Sequence, residues 1–106
     1  MVVRNIDVDE KLLFPGARRK ILARGGGMMI VEARFDAGME VARHAHRHEQ
    51  ASYVVCGSLV LSMEGRDETL GAGDSFYAGP DVPHAVRFLE NSVVIDTFTP
   101  QREDFL

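Results

Sequence analysis

His44, His46, Gln50 and His84 form a split set of side chains able to hold a metal ion. Neutral imidazole is the commonest protein ligand for first-row divalent metals. The chain's four histidines, His44, His46, His48 and His84, all fall within two short segments. The spacing decides which backbone can use them. On a helix, residues i and i+2 point to nearly opposite sides, so His44 and His46 could not share an ion. On a strand they share a face, about 7 Å apart at the backbone. Gln50 has the same parity but lies roughly 20 Å along an extended strand from His44. It joins the site only if the chain folds back, with Arg47-His48-Glu49 as the turn and Gln50 opening the next strand. A turn one residue shorter would offer Glu49 instead. His48 reads as a rim or supporting residue rather than a fourth imidazole ligand.

The elements that must position these groups read as short strands. No segment carries a sustained helical stripe. Expected strands are 19–24, 28–35, 39–46, 51–56, 58–64, 68–70, 74–78, 84–88 and 93–98. Between them stand separators such as Gly25-Gly26-Gly27, Asp36-Ala37-Gly38, Gly71-Ala72-Gly73 and Gly79-Pro80-Asp81-Val82-Pro83. Each supplies a positive φ or a fixed one. Turn signals every 8–12 residues indicate an all-β sandwich or barrel. The rigid turn before His84 would fix where its strand begins. Met28, Met29, Met39 and Met63 are scattered over separate strands and read as core packing rather than a soft-metal site.

Composition narrows the classes. The chain has 106 residues, enough for one domain with a modest core that many proteins enlarge by pairing. A net charge of −4 argues against a nucleic-acid footprint. Ten of the twelve basic residues are arginine, which suits bidentate capture of carboxylates, although genome composition produces the same bias. One cysteine, Cys56, excludes an internal disulfide and reads as a small core residue. No stretch approaches transmembrane length. The first residues, through Leu13, carry acids where a secretory signal needs an apolar run, so a cytoplasmic home is expected.

These residues resemble the two sequence motifs of the cupin superfamily. Gly38, His44, His46, Gln50 and Gly57 fit every interval of the first motif, with Gln50 where glutamate is usual. Gly73, Gly79, Pro80, Asp81 and His84 keep the spacing of the second. There Gly79 replaces the usual proline, Asp81 the second glycine and Phe88 the final asparagine. The resemblance implies an all-β, single-domain cupin, a double-stranded β-helix or small jelly-roll barrel, with one divalent transition metal inside its mouth and often a homodimer. The domain would span residues 1–106, with a core barrel over about 17–99 and a tail at 100–106. The competing reading is a cupin that has lost its metal; the retained histidine triad argues against it. Glutamine for glutamate matters chemically. Neutral Gln50 with three neutral histidines leaves a divalent ion its full charge, which strengthens it as a Lewis acid and attracts anions. Nickel, manganese, iron and zinc all suit such ligands.

The end of the chain narrows the class further. Asp96 stands out as a carboxylate on an otherwise largely apolar strand. It is either a rim residue paired with an arginine or a general acid/base facing the metal. The polar tail could be disordered, or Phe105 and Leu106 could pin it over the barrel mouth, where Arg102 would clamp a carboxylate. The segments 44–50, 82–86 and 93–106 are similar to the small pectin-degradation cupins, which open the rings of 4,5-unsaturated uronate monosaccharides from pectin or alginate to linear keto-uronates. The resemblance implies His44, His46, Gln50 and His84 as metal ligands and Asp96, Phe98 and Arg102 as active-site residues. Arg18-Arg19-Lys20 and the N-terminal third carry little of it and could host a different specificity. The expectation is therefore a metal-dependent enzyme acting on a small anionic sugar, with no nucleic-acid or membrane partner. The competing functions are another cupin enzyme, such as a dioxygenase on a small ligand, and a non-catalytic ligand-binding cupin.

Overall fold

A computed structural model describes residues 1–106 as ten strands and two single 3₁₀ turns. The strands are β1 (Lys11–Phe14), β2 (Ala17–Gly25), β3 (Met28–Phe35), β4 (Glu40–His44), β5 (Glu49–Cys56), β6 (Ser58–Met63), β7 (Arg66–Gly71), β8 (Ser75–Ala78), β9 (His84–Phe88) and β10 (Ser92–Thr99). They form a six-stranded sheet in the order β1-β2-β3-β10-β5-β8 and a four-stranded sheet in the order β4-β9-β6-β7. The pairings are antiparallel, and the two sheets face one another as a jelly roll. This is the all-β barrel expected from the turn spacing. No helix is long and apolar enough to cross a membrane.

Alternation drives the layering. Along β3, Met29, Val31, Ala33 and Phe35 are buried while their neighbours are not. On β5 the buried parity is Gln50, Ser52 and Val54. Residues two apart on a strand share a face, so these inner sets must meet across the barrel. Phe35 of the large sheet stacks on Phe88 of the small one, ring centroids 4.0 Å apart, and closes the far end. Burying each ring contributes on the order of 1.5–3 kcal/mol. A second cluster, Met29, Val31 and Phe98, lies at the mouth and takes Phe105 from the tail.

Turn chemistry fixes the registers. Glu64 (φ 55°) and Gly65 (φ 74°) make the two-residue β6–β7 hairpin, the backbone twist that matches strand twist. At Gly57 (φ 88°) a β-carbon would overlap Ser92 Oγ and the Asn91 carbonyl, so only glycine fits between β5 and β6. Asp81 keeps a positive φ of 60° at the position where the second motif usually has glycine. Aspartate is among the few residues that tolerate this conformation.

Several expectations need correction. His46 is not on β4, which ends at His44. Cys56 is exposed rather than core, because the β5–β10 register shifts between Val93 and Val94 and breaks the parity that would have buried it. Met28 is 66% exposed: it starts β3 on the outer parity, while Met29 faces in. An edge strand, β1, precedes the region expected to be the barrel and pairs with β2.

Candidate metal centre and active site

The site is built from cross-strand pairs. On the small sheet His44 lies directly opposite His84 across β4 and β9. On the large sheet Gln50 lies opposite Phe98, and Ser52 opposite Asp96, across β5 and β10. Directly opposed residues bring their side chains together on one face. His46 comes from the crossing between the sheets. Its carbonyl accepts the Asp81 N–H at 2.8 Å, so the left-handed Asp81 turn holds this crossing against the start of β9.

One ring nitrogen from each of His44, His46 and His84 lies within 4.8 Å of the other two. Backbone carbonyls set which nitrogen that is. Nδ1 of His44 donates to Ala42 O at 2.9 Å, Nδ1 of His46 to His48 O at 3.0 Å, and Nδ1 of His84 to Val82 O at 2.9 Å. A neutral imidazole with its proton on Nδ1 carries its lone pair on Nε2. Carbonyls orienting the far nitrogen in this way are the usual support of a histidine metal ligand. Burial pushes the His84 pKa down, against the pull of the Val82 carbonyl, and so favours the neutral ring.

Gln50 completes the test of fit. Its amide Nε2 donates to Ser52 Oγ at 2.9 Å and reaches Asp96 Oδ1 at 3.4 Å. Oε1 therefore turns to the histidines, 3.1 Å from His46 Nε2. With the His46 proton on Nδ1, those two atoms are both electron-pair donors with no proton between them. His84 Nε2 is buried and has no hydrogen-bond partner at all. Unpartnered buried lone pairs are costly. The three clustered ring nitrogens and the Gln50 carbonyl oxygen beside them fit a divalent cation. Glu49 points to the outer face, where it accepts a hydrogen bond from Tyr77 at 2.6 Å. His48 is buried beside His46, ring centroids 5.5 Å apart, and stays outside the nitrogen cluster.

Ser52 is a residue that sequence reasoning missed. Its hydroxyl accepts from Gln50 and donates to Asp96 Oδ1 at 2.6 Å, so one buried hydroxyl ties the oxygen donor to the carboxylate. The available signal was parity: Ser52 is a polar residue two along from Gln50 on the buried face. Burial pushes the Asp96 carboxyl up, while bonds from Ser52 and Gln50 and the Arg102 charge pull it down. Both hydrogen bonds meet Oδ1, leaving Oδ2 without a protein partner on a carboxylate that lines the cavity.

The tail is ordered as a 3₁₀ turn at Glu103–Phe105 and lies across the mouth. Phe105 packs edge-on against Phe98, centroids 5.7 Å apart. Phe98 in turn meets the His46 ring at 6.0 Å. The Arg102 guanidinium sits 5.1 Å from the Phe98 ring centroid and is held bidentately by Asp104 at 2.8 and 3.0 Å. A cavity of about 230 Å³ runs from the histidines into the barrel. Drug-sized ligand sites span roughly 300–1,000 Å³. This one has room for a single small ring with a few polar anchors.

Comparison with known proteins agrees with this architecture. A family model described as a cupin domain matches residues 31–97. The pectin degradation protein KdgF of Dickeya dadantii is 40% identical over 93 residues, covering 86% of this chain and 84% of that protein. The structure of KdgF from a Halomonas species superposes with a TM-score of 0.95 at 37% identity, over 100% of this chain and 98% of the other. An RmlC-like cupin from Shewanella frigidimarina gives the same TM-score and identity over 99% and 95% of the two chains. The two-sheet barrel, the histidine cluster in its mouth and similarity over nearly the full length lead to one conclusion: the chain belongs to the cupin domain family.

Proposed function

We propose that this protein is a metal-dependent ring-opening enzyme that converts a 4,5-unsaturated uronate monosaccharide into a linear keto-uronate in pectin or alginate breakdown, working as a cytoplasmic homodimer. The observation that carries the reading is the mouth of the barrel. Three clustered imidazoles (His44, His46 and His84) and the Gln50 amide stand beside a carboxylate with one free oxygen (Asp96), an aromatic face (Phe98) and a guanidinium (Arg102) around one small cavity. The similarity to KdgF supports it.

The substrate joins an enol ether to a hemiacetal and carries a carboxylate. Opening removes the hemiacetal O–H proton, breaks the bond from the anomeric carbon to the ring oxygen, and leaves an enolate. The enolate becomes the ketone when C4 takes that proton. A bound divalent ion supplies Lewis-acid polarisation of the substrate's oxygens. Asp96 accepts and returns the proton at Oδ2, while Ser52 and Gln50 hold Oδ1 still. Burial raises the Asp96 pKa above that of an ordinary carboxylate, which strengthens it as a base. Phe98 packs on the sugar ring, and Arg102 takes the carboxylate in place of Asp104. Nothing in this sequence of steps consumes oxygen.

The test is the loss of ultraviolet absorbance from a 4,5-unsaturated galacturonate monomer, with protein loaded in turn with nickel, manganese, iron or zinc and with chelator-stripped protein alongside. Decay well above the spontaneous rate, abolished by stripping and restored by metal, is expected. No acceleration on this or on the alginate-derived monomer would overturn the reading.

The homodimer rests on the outer face of the large sheet. Tyr53, Val55 and Tyr77 are 50%, 46% and 55% exposed on the neighbouring strands β5 and β8. Ile95 lies opposite Tyr53 on β10 and extends the apolar surface. Such a patch marks an interaction surface, and a two-fold contact would bury the same patch on both copies. Light scattering should give twice the chain mass, and Tyr53→Arg should shift it to the monomer. A monomeric wild type would discard this assembly.

A further inference from the structure

Arg19 is a charged group in the cavity for which the reaction scheme above has no use. It lies on β2 opposite Ala33, whose side chain is buried, and so shares the inward face of the large sheet. It lines the same cavity as His44, Gln50, His84, Asp96 and Arg102. No carboxylate lies within ion-pair distance of it, in contrast to Arg18 and Arg34 nearby. One Nη donates to the Phe105 carbonyl at 3.2 Å, and the guanidinium stacks 4.0 Å from the Phe105 ring centroid. Nε is buried and has no partner. A guanidinium presents a planar fork of donors matched to a carboxylate, and a buried donor left empty is costly.

Arg102 lies 4.2 Å from the same Phe105 ring centroid. The two cations are therefore no farther apart than the sum of those two distances. Asp104 answers Arg102 with both oxygens and leaves Arg19 without an anion. Burial already pushes the Arg19 pKa down, with the nearby Asp104 charge opposing it, so an anion beside Arg19 would meet a poorly solvated cation.

We propose that Arg19 is a specificity-determining residue that binds the substrate's carboxylate, forming with Arg102 a two-guanidinium cradle built from the two ends of the chain. This deepens the uronate reading and rests on it for the identity of the sugar, but not for the presence of a carboxylate site. The cradle selects a sugar acid over the neutral sugar of the same shape. Asp104 stands in for the ligand carboxylate on Arg102 and gives way to it, and the Phe105 ring, in contact with both guanidiniums, keeps them near one another.

Two measurements on the metal-loaded full chain test the proposal. In the first, Arg19→Gln and Arg19→Lys are assayed with the unsaturated galacturonate monomer. A lost hydrogen bond to a charged group corresponds to a change of about ten- to a hundredfold. The glutamine variant should raise KM by that factor with kcat changed less than about threefold, and lysine should restore part of the loss. In the second, binding of saturated galacturonate and of galactose is measured calorimetrically. The wild type should prefer the acid, and Arg19→Gln should erase that preference by at least tenfold. Equal losses for both sugars, or a loss confined to kcat, would mean that Arg19 only anchors Phe105 and would overturn the proposal. A wild type with no preference for the acid would also overturn it. Wild-type protein that binds galacturonate through Arg19 but leaves the unsaturated monomer intact would sink the ring-opening reading and keep the carboxylate site.

Discussion

His84→Ala protein is expected to purify without its divalent metal and to lose ring-opening turnover by at least about a thousandfold. The metal loss follows from geometry. His84 is 2% exposed, its Nδ1 is committed to the Val82 carbonyl, and its Nε2 has no hydrogen-bond partner within the protein. Alanine removes one of three nitrogens from a set with no carboxylate among its ligands, so no anionic donor remains to compensate. Loss even of a residue that only supports a ligand commonly costs ten- to a hundredfold in affinity, and a ligand itself should cost more. The rate follows because Lewis-acid stabilisation supplies several kcal/mol, and each 1.36 kcal/mol is about tenfold. Metal analysis, circular dichroism and the absorbance assay on one preparation check it. A folded His84→Ala protein with wild-type metal content would remove His84 from the ligand set. A folded, metal-free protein that still turns over would remove the metal from the reaction.

The second large effect separates proton transfer from metal binding. Asp96→Asn is close to isosteric, and its side-chain carbonyl can still accept the Ser52 and Gln50 hydrogen bonds now made to Oδ1. The Gln50 amide should therefore keep its orientation, and the ion should stay. The oxygen that takes and returns a proton is gone. General acid–base groups contribute roughly 10²–10⁴-fold, and kcat should fall within that range while metal content and fold are unchanged. Asp96 has no role in proton transfer if the variant turns over at the wild-type rate. A variant that loses its metal as well would show that Asp96 acts on the site through Gln50. His84→Ala and Asp96→Asn thus have opposite metal signatures, so the pair distinguishes a damaged centre from a missing proton carrier.

Fold and ligand cluster were legible to different depths. The turn signals and alternating strands pointed to an all-β barrel because two-residue periodicity and positive-φ positions are local properties. The motif intervals singled out His44, His46, Gln50 and His84, but the geometric reason offered for the first two did not hold. Strand parity would have put His44 and His46 on one face of one strand, whereas β4 stops at His44. His46 reaches the cluster from the crossing, held by the Asp81 N–H. Cys56 shows the same limit: parity buries it on paper, and a register shift at the end of β5 exposes it.

By itself, the sequence determined which residue types were available, on which parity, and with what turns between them. That suffices for a barrel whose inner face carries histidines, an amide and a carboxylate, because the alternation of side-chain direction along a strand is local to the chain. Tertiary structure alone decided the pairings across the chain. The β4–β9 register sets His44 beside His84, and the β5–β10 register sets Ser52 beside Asp96. Strand pairing also chose Gln50 over Glu49, since only one of two adjacent residues can face the interior. The meeting of Arg19 with Arg102 over Phe105 lay furthest from view. Those residues come from the second strand and the last turn, and nothing local in either segment encodes the distance between them. That distance is set by the order in which strands pair and by where the tail finds apolar surface to cover.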